Sequence, residues 1–225
     1  MWCIPQLDAE YVRKMEDVLA LYERPYRSQT PVVCLDEKPV TLHAEVRQVL
    51  PARPGQVAKR DGEYRRCGTA NVFCAVEPKA GRHFTYATPD RSAFAFANVL
   101  MELALQYRAA SQIQLVVDNL NIHRKKSLTD AFGEEVGSEV WERFRIHYTP
   151  LHGSWLNQAE IEIGLLARQC LGRRRLASLR QLQQEVRAWN QRINRAQVKI
   201  NWRFTRKNAR GVFRYDKNSF TRSLH

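Results

Sequence analysis

Three acidic residues are the side chains of this sequence whose types and settings could do chemistry together. Asp36 closes the apolar run Pro31-Val-Val-Cys-Leu-Asp36. Asp118 closes a second, Ile113-Gln-Leu-Val-Val-Asp118, before Asn-Leu-Asn-Ile-His123. Glu160 ends Gly153-Ser-Trp-Leu-Asn-Gln-Ala-Glu160 and opens an expected helix. Short β-branched runs read as buried strands, and a charge at the end of a buried strand is costly unless something pairs with it. The simplest explanation is convergence on a divalent cation. Two such ions about 3.5–4 Å apart can neutralise both the attacking and the leaving oxygen of a phosphoryl transfer. Mg²⁺ takes hard oxygen ligands and keeps waters, so a few carboxylates suffice to hold it. For any one of these residues a capped loop or a solvated helix face is explanation enough. Three in this order favour the metal site.

The elements that must position them follow from periodicity. Apolar residues at helical spacing (Leu7, Val12, Met15, Val18, Leu19, Tyr22) predict a helix over 7–24, and a first strand follows at 32–36. Residues 45–66 mix Pro51, Pro54, Gly55 and Gly62 with Arg47, Arg53, Lys59, Arg60, Arg65 and Arg66, which reads as an irregular basic loop or a loose hairpin. The runs 70–77 and 82–88, joined by Pro78-Lys-Ala-Gly81, predict an antiparallel hairpin. A helix is expected over 93–107 and a strand up to Asp118. Residues 124–143 read as helix interrupted by Gly133 and Gly137, then a strand over 144–149 and helices near 157–171 and 178–194. The expected fold class is α/β, a mixed sheet covered by helices.

A formal net charge of +13 and a pI near 9.9 point to a polyanionic partner, nucleic acid first. No apolar stretch approaches the roughly 18 residues of a membrane span. The opening Met-Trp-Cys-Ile-Pro-Gln lacks the basic and apolar regions of a signal peptide. Five cysteines (3, 34, 67, 74, 170) lack the close pairs of a zinc site and read as reduced cytosolic thiols, with Cys34 in the core. From Arg168 to Arg214 there are fourteen Lys/Arg and one acid, Glu185. That bias predicts a phosphate-tracking surface including Arg173, Arg174, Arg175 and Arg180, with Arg65 and Arg66 a second contact.

The blocks Val32-Val-Cys-Leu-Asp-Glu37, Val117-Asp-Asn-Leu-Asn-Ile-His123 and Trp155-Leu-Asn-Gln-Ala-Glu160 resemble the catalytic domain of DDE transposases, most closely the mariner-related superfamily of bacterial insertion sequences. Trp2-Cys-Ile-Pro5, Ile200-Asn-Trp-Arg-Phe-Thr205 and Ala209-Arg210 are similar to that group too. The resemblance implies a ribonuclease H-like fold with Asp36, Asp118 and Glu160 as both catalytic residues and ligands of two Mg²⁺ or Mn²⁺ ions. It implies hydrolysis at the ends of a mobile element, then attack of the freed 3′-hydroxyl on double-stranded target DNA. It also implies a homodimer on paired ends and a nucleoid-associated location in the bacterial cytoplasm, with no membrane. The domain reading is a helical lead-in over 1–30, the catalytic core over 31–172 and a basic helical extension over 173–225. Two departures stand out. The 41-residue gap from Asp118 to Glu160 exceeds the usual mid-thirties, with the excess expected near 133–141. The helix-turn-helix region that reads terminal repeats is expected to be missing, as in a fragment, half of a split reading frame or a decayed copy.

Around the triad, Glu37 is expected near the site rather than on the metal, since successive strand residues face opposite ways. Glu162 competes with Glu160; two residues apart on a helix they diverge by roughly 200°, so only one can point inward, and the Trp-Leu-Asn-x-x-Glu spacing favours Glu160. His123 is expected to orient substrate, with Asn119 and Asn157 as supporting partners. Trp155 either anchors its loop in the core or stacks on a base. The competing functions are a non-catalytic DNA-binding transposase remnant and another ribonuclease H-like nuclease.

Overall fold

The computed structural model describes residues 7–216, so the Trp2-Cys-Ile-Pro5 block lies outside the described residues. One sheet runs through the molecule in the order β3-β2-β1-β4-β5. β1 (Val32–Glu45), β2 (Tyr64–Glu77) and β3 (Arg82–Thr88) form an antiparallel meander. β4 (Ile113–Val117) lies parallel to β1, and β5 (Phe144–Tyr148) parallel to β4. Every residue of β4 is buried, which is why its sequence is a continuous apolar run rather than an alternating one.

Helices cover both faces. α1 (Ala9–Glu23) starts where the Asp8 carboxylate accepts from Tyr11 N–H at 2.6 Å, the favoured arrangement for an N-cap acid. α2 (Ala93–Gln106) is capped by Ser92 and leads to β4. α3 (Lys125–Phe132) and α4 (Glu134–Glu142) join β4 to β5. α5 (Ala159–Leu166) runs into a single π turn, and α6 (Leu179–Ala196) and α7 (Arg206–Phe213) follow. On one face Val33, Leu35, Phe73 and Leu115 pack with Phe96, Leu100 and Leu103 of α2 and with Leu128 of α3. On the other, Cys34, Val76 and Val116 meet Met15, Val18 and Leu19 of α1. Farther along that face Val72 and Cys74 meet Leu166 of α5 and Leu182, Val186 and Trp189 of α6. Each fully buried large side chain contributes about 1.5–3 kcal/mol. The expected mixed sheet covered by helices is present, and segments before residue 31 and after 172 supply part of its core.

Two details differ from the sequence expectation, and residues 46–63 keep to the irregular loop or loose hairpin expected over 45–66. β1 does not stop at residue 36 but continues to Glu45, through Pro39. Beyond Cys34 it has β2 on one side only, so a proline there removes no ladder bond from a central strand. Residues 46–63 hold only isolated bridges, Leu50 with Lys59 and Arg53 with Gln56, at the end of the long β1–β2 ribbon. Of the two glycines expected to interrupt 124–143, only Gly133 does so, at φ +82°. Gly137 sits inside α4, where a Cβ would come within 2.6 Å of Thr129 Cα. It is there so that α3 and α4 can touch.

Candidate active site

Asp36 and Asp118 each follow by two residues the last pair of the β1–β4 ladder, Cys34 opposite Val116. Equal offsets on adjacent parallel strands put them side by side, on the face that carries Cys34 and Val116. Glu160 arrives on the first turn of α5, exposed to solvent. The approach of that helix is fixed by Asn157, whose Nδ2 donates to the Leu35 carbonyl at 2.8 Å while its Oδ1 accepts from Ala159 N–H at 3.1 Å. The chain entering α5 is thereby fastened to β1 one residue before Asp36. Tyr22 adds a second tie, donating to the Leu156 carbonyl at 2.7 Å. Trp155 packs edge-on against Phe204, ring centres 5.4 Å apart, so it anchors its loop within the apolar cluster.

The electrostatics follow from this crowding. Burial pushes the Asp36 carboxyl up to about 7; a hydrogen bond from Glu37 N–H opposes the rise, and the charges of Glu37, Asp118 and Glu160 add to it. Asp118 is held below the ordinary range, chiefly by the hydrogen bond from His123. His123 Nδ1 is 2.9 Å from Asp118 Oδ1, and its Nε2 is 2.8 Å from Glu37 Oε1. Burial disfavours charge on this imidazole, but its bonds to Asp118 and Glu37 outweigh that and raise it to about 9. The ring is seated against Phe96, with centres 4.7 Å apart. Leu120 N–H also donates to Asp118 Oδ1 at 3.0 Å, so both hydrogen bonds fall on one oxygen of that carboxylate. Glu37 stands beside the site through His123, on the strand face opposite Asp36. Asn119 donates to the Thr149 carbonyl at 2.5 Å and accepts from Lys14 Nζ at 3.0 Å.

The two glutamates of α5 separate cleanly. Glu162 is fully buried, 2.8 Å from His83 Nδ1, while His83 Nε2 faces the Val198 carbonyl at 2.8 Å. Asn194 brackets the His83 backbone from both sides. Neither His83 nor Lys14 is marked by any local pattern in the sequence, since their partners are 79 and 105 residues away.

The donors at Asp36, Asp118 and Glu160 are hard oxygens in a partly exposed carboxylate cluster, open to solvent at Glu160, which suits Mg²⁺ or Mn²⁺. Among the described residues no group of three His, Cys, Asp or Glu is drawn tightly enough to enclose an ion. Like charges at one site repel, and the three carboxylates stand as neighbours whose charges are felt at Asp36.

The basic residues divide into two sorts. Arg65, Arg66, Arg173 and Arg180 are exposed. Arg174 pairs with Glu185 at 2.8 Å. Arg175 pairs with Glu45 at 2.6 Å, donates to the carbonyls of Gly62 and Glu63, and lies 5.0 Å over the Tyr64 ring. It stitches the base of the β1–β2 ribbon to the segment before α6. No helix among the described residues is long and apolar enough to cross a membrane.

The family model described as DDE superfamily endonuclease matches residues 31–183. Among curated proteins, the chain is similar to an insertion element IS630 uncharacterized 39 kDa protein of Shigella sonnei, 26% identical over 133 residues, covering 56% of this chain and 37% of that protein. Among solved structures, it is similar to the Mos1 transposase paired-end complex with left transposon end, with a TM-score of 0.55 at 14% identity. The Mos1 strand transfer complex gives a TM-score of 0.54 at 16% identity. Both likenesses cover 88% of this chain and 61% of the other, and they show a shared ribonuclease H-like fold. The chain thus spans little more than a third of the curated relative's length.

Proposed function

From the premise that this chain belongs to the DDE superfamily endonucleases, we propose that it is the catalytic core of a metal-dependent DNA transposase. It hydrolyses phosphodiester bonds at the ends of a mobile element and joins the freed 3′-hydroxyl to target DNA. The observation that carries this reading is the matched offset of Asp36 and Asp118 on β1 and β4, with Glu160 felt at Asp36 from α5. Asp36, Asp118 and Glu160 would hold two Mg²⁺ or Mn²⁺ ions, which when bound supply charge neutralisation at the attacking and leaving oxygens.

The other residues have tasks set by their contacts. His123 grips one oxygen of Asp118 and leaves the other free of hydrogen bonds, while its second nitrogen is tethered by Glu37. Asn157 fixes the distance between β1 and the start of α5. Asn119, tied to Thr149 and Lys14, steadies the strand exit after Asp118. Arg65, Arg66, Arg173 and Arg180 face solvent and bind DNA phosphates; Arg174 and Arg175 join that surface through the same basic run while also pairing with carboxylates. Residues 31–172 carry the chemistry, and two copies act on paired DNA ends in the bacterial cytoplasm.

The test is joining of a pre-cut, labelled DNA end to supercoiled plasmid with Mg²⁺ or Mn²⁺, because a pre-cut end bypasses the first cleavage. Metal-dependent joining that disappears in Asp118→Asn, with DNA binding retained, is the expected result. DNA binding without joining, under any divalent metal, would leave a binding protein in place of an enzyme and end this reading.

A further inference from the structure

A cavity of about 650 Å³ lies at the other ends of the central strands from Asp36 and Asp118. Val32 and Gln114, at the beginnings of β1 and β4, line it, as do the end of α1, the β2–β3 turn and the 199–202 segment before α7. We propose that this cavity binds a mononucleotide, with the base inside and the phosphate among the cations at its rim.

Its size falls within the range of about 300–1,000 Å³ typical of small-molecule sites. Its charge is one-sided. Arg24, Arg27, Lys79 and Lys199 line it; among the described residues none of the four forms an ion pair, and Lys79 Nζ donates to the Arg24 carbonyl. Glu77, the one acid of the wall, is turned to the Tyr107 hydroxyl at 2.9 Å and toward Arg82. Inorganic phosphate would use those cations and nothing else. The remaining wall asks for a flat, hydrogen-bonding ring: Tyr22, Tyr26 and Trp202 offer aromatic surface, and Gln158 and Asn201 offer amides able to meet a base edge. Gln158 supplies an independent sign. It is 2% exposed, and its Oε1 is buried without a hydrogen-bond partner. Buried polar atoms are nearly always paired, and the terminal torsion of a glutamine is soft. A small rotation presents this oxygen to a ring amine or N–H of a bound base.

The test is isothermal titration of the whole chain with AMP and dAMP, with inorganic phosphate and adenosine as separate arms. Saturable one-to-one binding of the nucleotides, at least ten-fold tighter than either fragment, is expected. Lys79→Ala with Lys199→Ala should weaken it ten-fold or more. Removing two charges from the exposed side of α6, with Arg187→Ala and Arg195→Ala, should change it less than two-fold. Asn201→Ala, at an exposed position, reads the same site if the lysine pair fails to fold, and should weaken binding at least three-fold. Binding of phosphate as tight as AMP, equal losses in both charge pairs, or no saturation would overturn the proposal. Displacement of AMP by duplex DNA would assign the cavity to the DNA surface and overturn it as well.

Discussion

Glu160 and Glu162 are two residues apart on one helix and face different surroundings. Glu160 looks to solvent and to Asp36, while Glu162 is locked against His83 with no exposure at all. Their substitutions should therefore fail in different ways. Glu160→Gln is expected to abolish strand joining while leaving the denaturant midpoint unchanged. Glu162→Gln keeps the shape but disturbs a buried hydrogen-bonded pair, and should lower stability by about 1–3 kcal/mol in a urea titration. Equal stability losses in the two variants would refute this division. Helix geometry alone announced that the two would face different surroundings, and the Trp-Leu-Asn-x-x-Glu spacing favoured Glu160 as the one near Asp36. It could not name His83, because a side chain on β3 meets α5 only after the sheet has formed. Likewise His123 was expected to orient substrate, but its bridge from Asp118 to Glu37 depends on strand parity and loop geometry together.

Individual elements carry their own tests. Gly137 lets α4 lie on α3, since a Cβ there would come within 2.6 Å of both the Thr129 nitrogen and Cα. Backbone cannot step aside as a side-chain tip can, so Gly137→Ala should destabilise the protein by about 1–3 kcal/mol, read by chemical denaturation. The sequence reading took this glycine for a breaker, because a helical glycine that serves close packing is indistinguishable locally from one that ends a helix. The strap formed by α7 is held to α1 by Arg210 with Glu16 at 2.7 Å and Arg206 with Glu23 at 2.8 Å. Burial alone would raise both glutamates, but the arginine hydrogen bonds prevail and hold each below its ordinary value of 4.5. Depressed carboxylates stabilise above their unfolded value and lose that contribution as pH falls through the folded one. The advantage of the native protein over Glu16→Gln with Glu23→Gln should therefore be full near pH 7 and shrink as pH falls below 4.5 in melting curves. Being largely solvated, each pair is worth at most about 1 kcal/mol.

At the scale of the whole molecule, the charge of +13 makes the proposed affinity for DNA a function of salt. The logarithm of the binding constant should fall by about 0.9 per phosphate contacted for each unit of log salt. Arg173→Ala with Arg180→Ala, both exposed, should flatten that slope by about 2, measured by fluorescence anisotropy. An unchanged slope would remove them from the DNA surface. Arg175→Ala should instead loosen the β1–β2 ribbon, since its guanidinium bridges Glu45 and two carbonyls of the 62–63 turn. The sequence by itself determined the class of fold, the apolar strand runs that lead into Asp36 and Asp118, the helix whose first turn carries Glu160, and a strongly basic net charge. Those are matters of hydrophobic period, turn chemistry and charge, which act over a few residues or sum over all of them. Only the tertiary structure decided that β1 continues through Pro39 once β4 leaves its side, that Glu162 belongs to the core, and that a basic, aromatic cavity opens between the end of α1 and the 199–202 segment. Each of these is a contact between segments far apart in the chain, and no local energy term contains it.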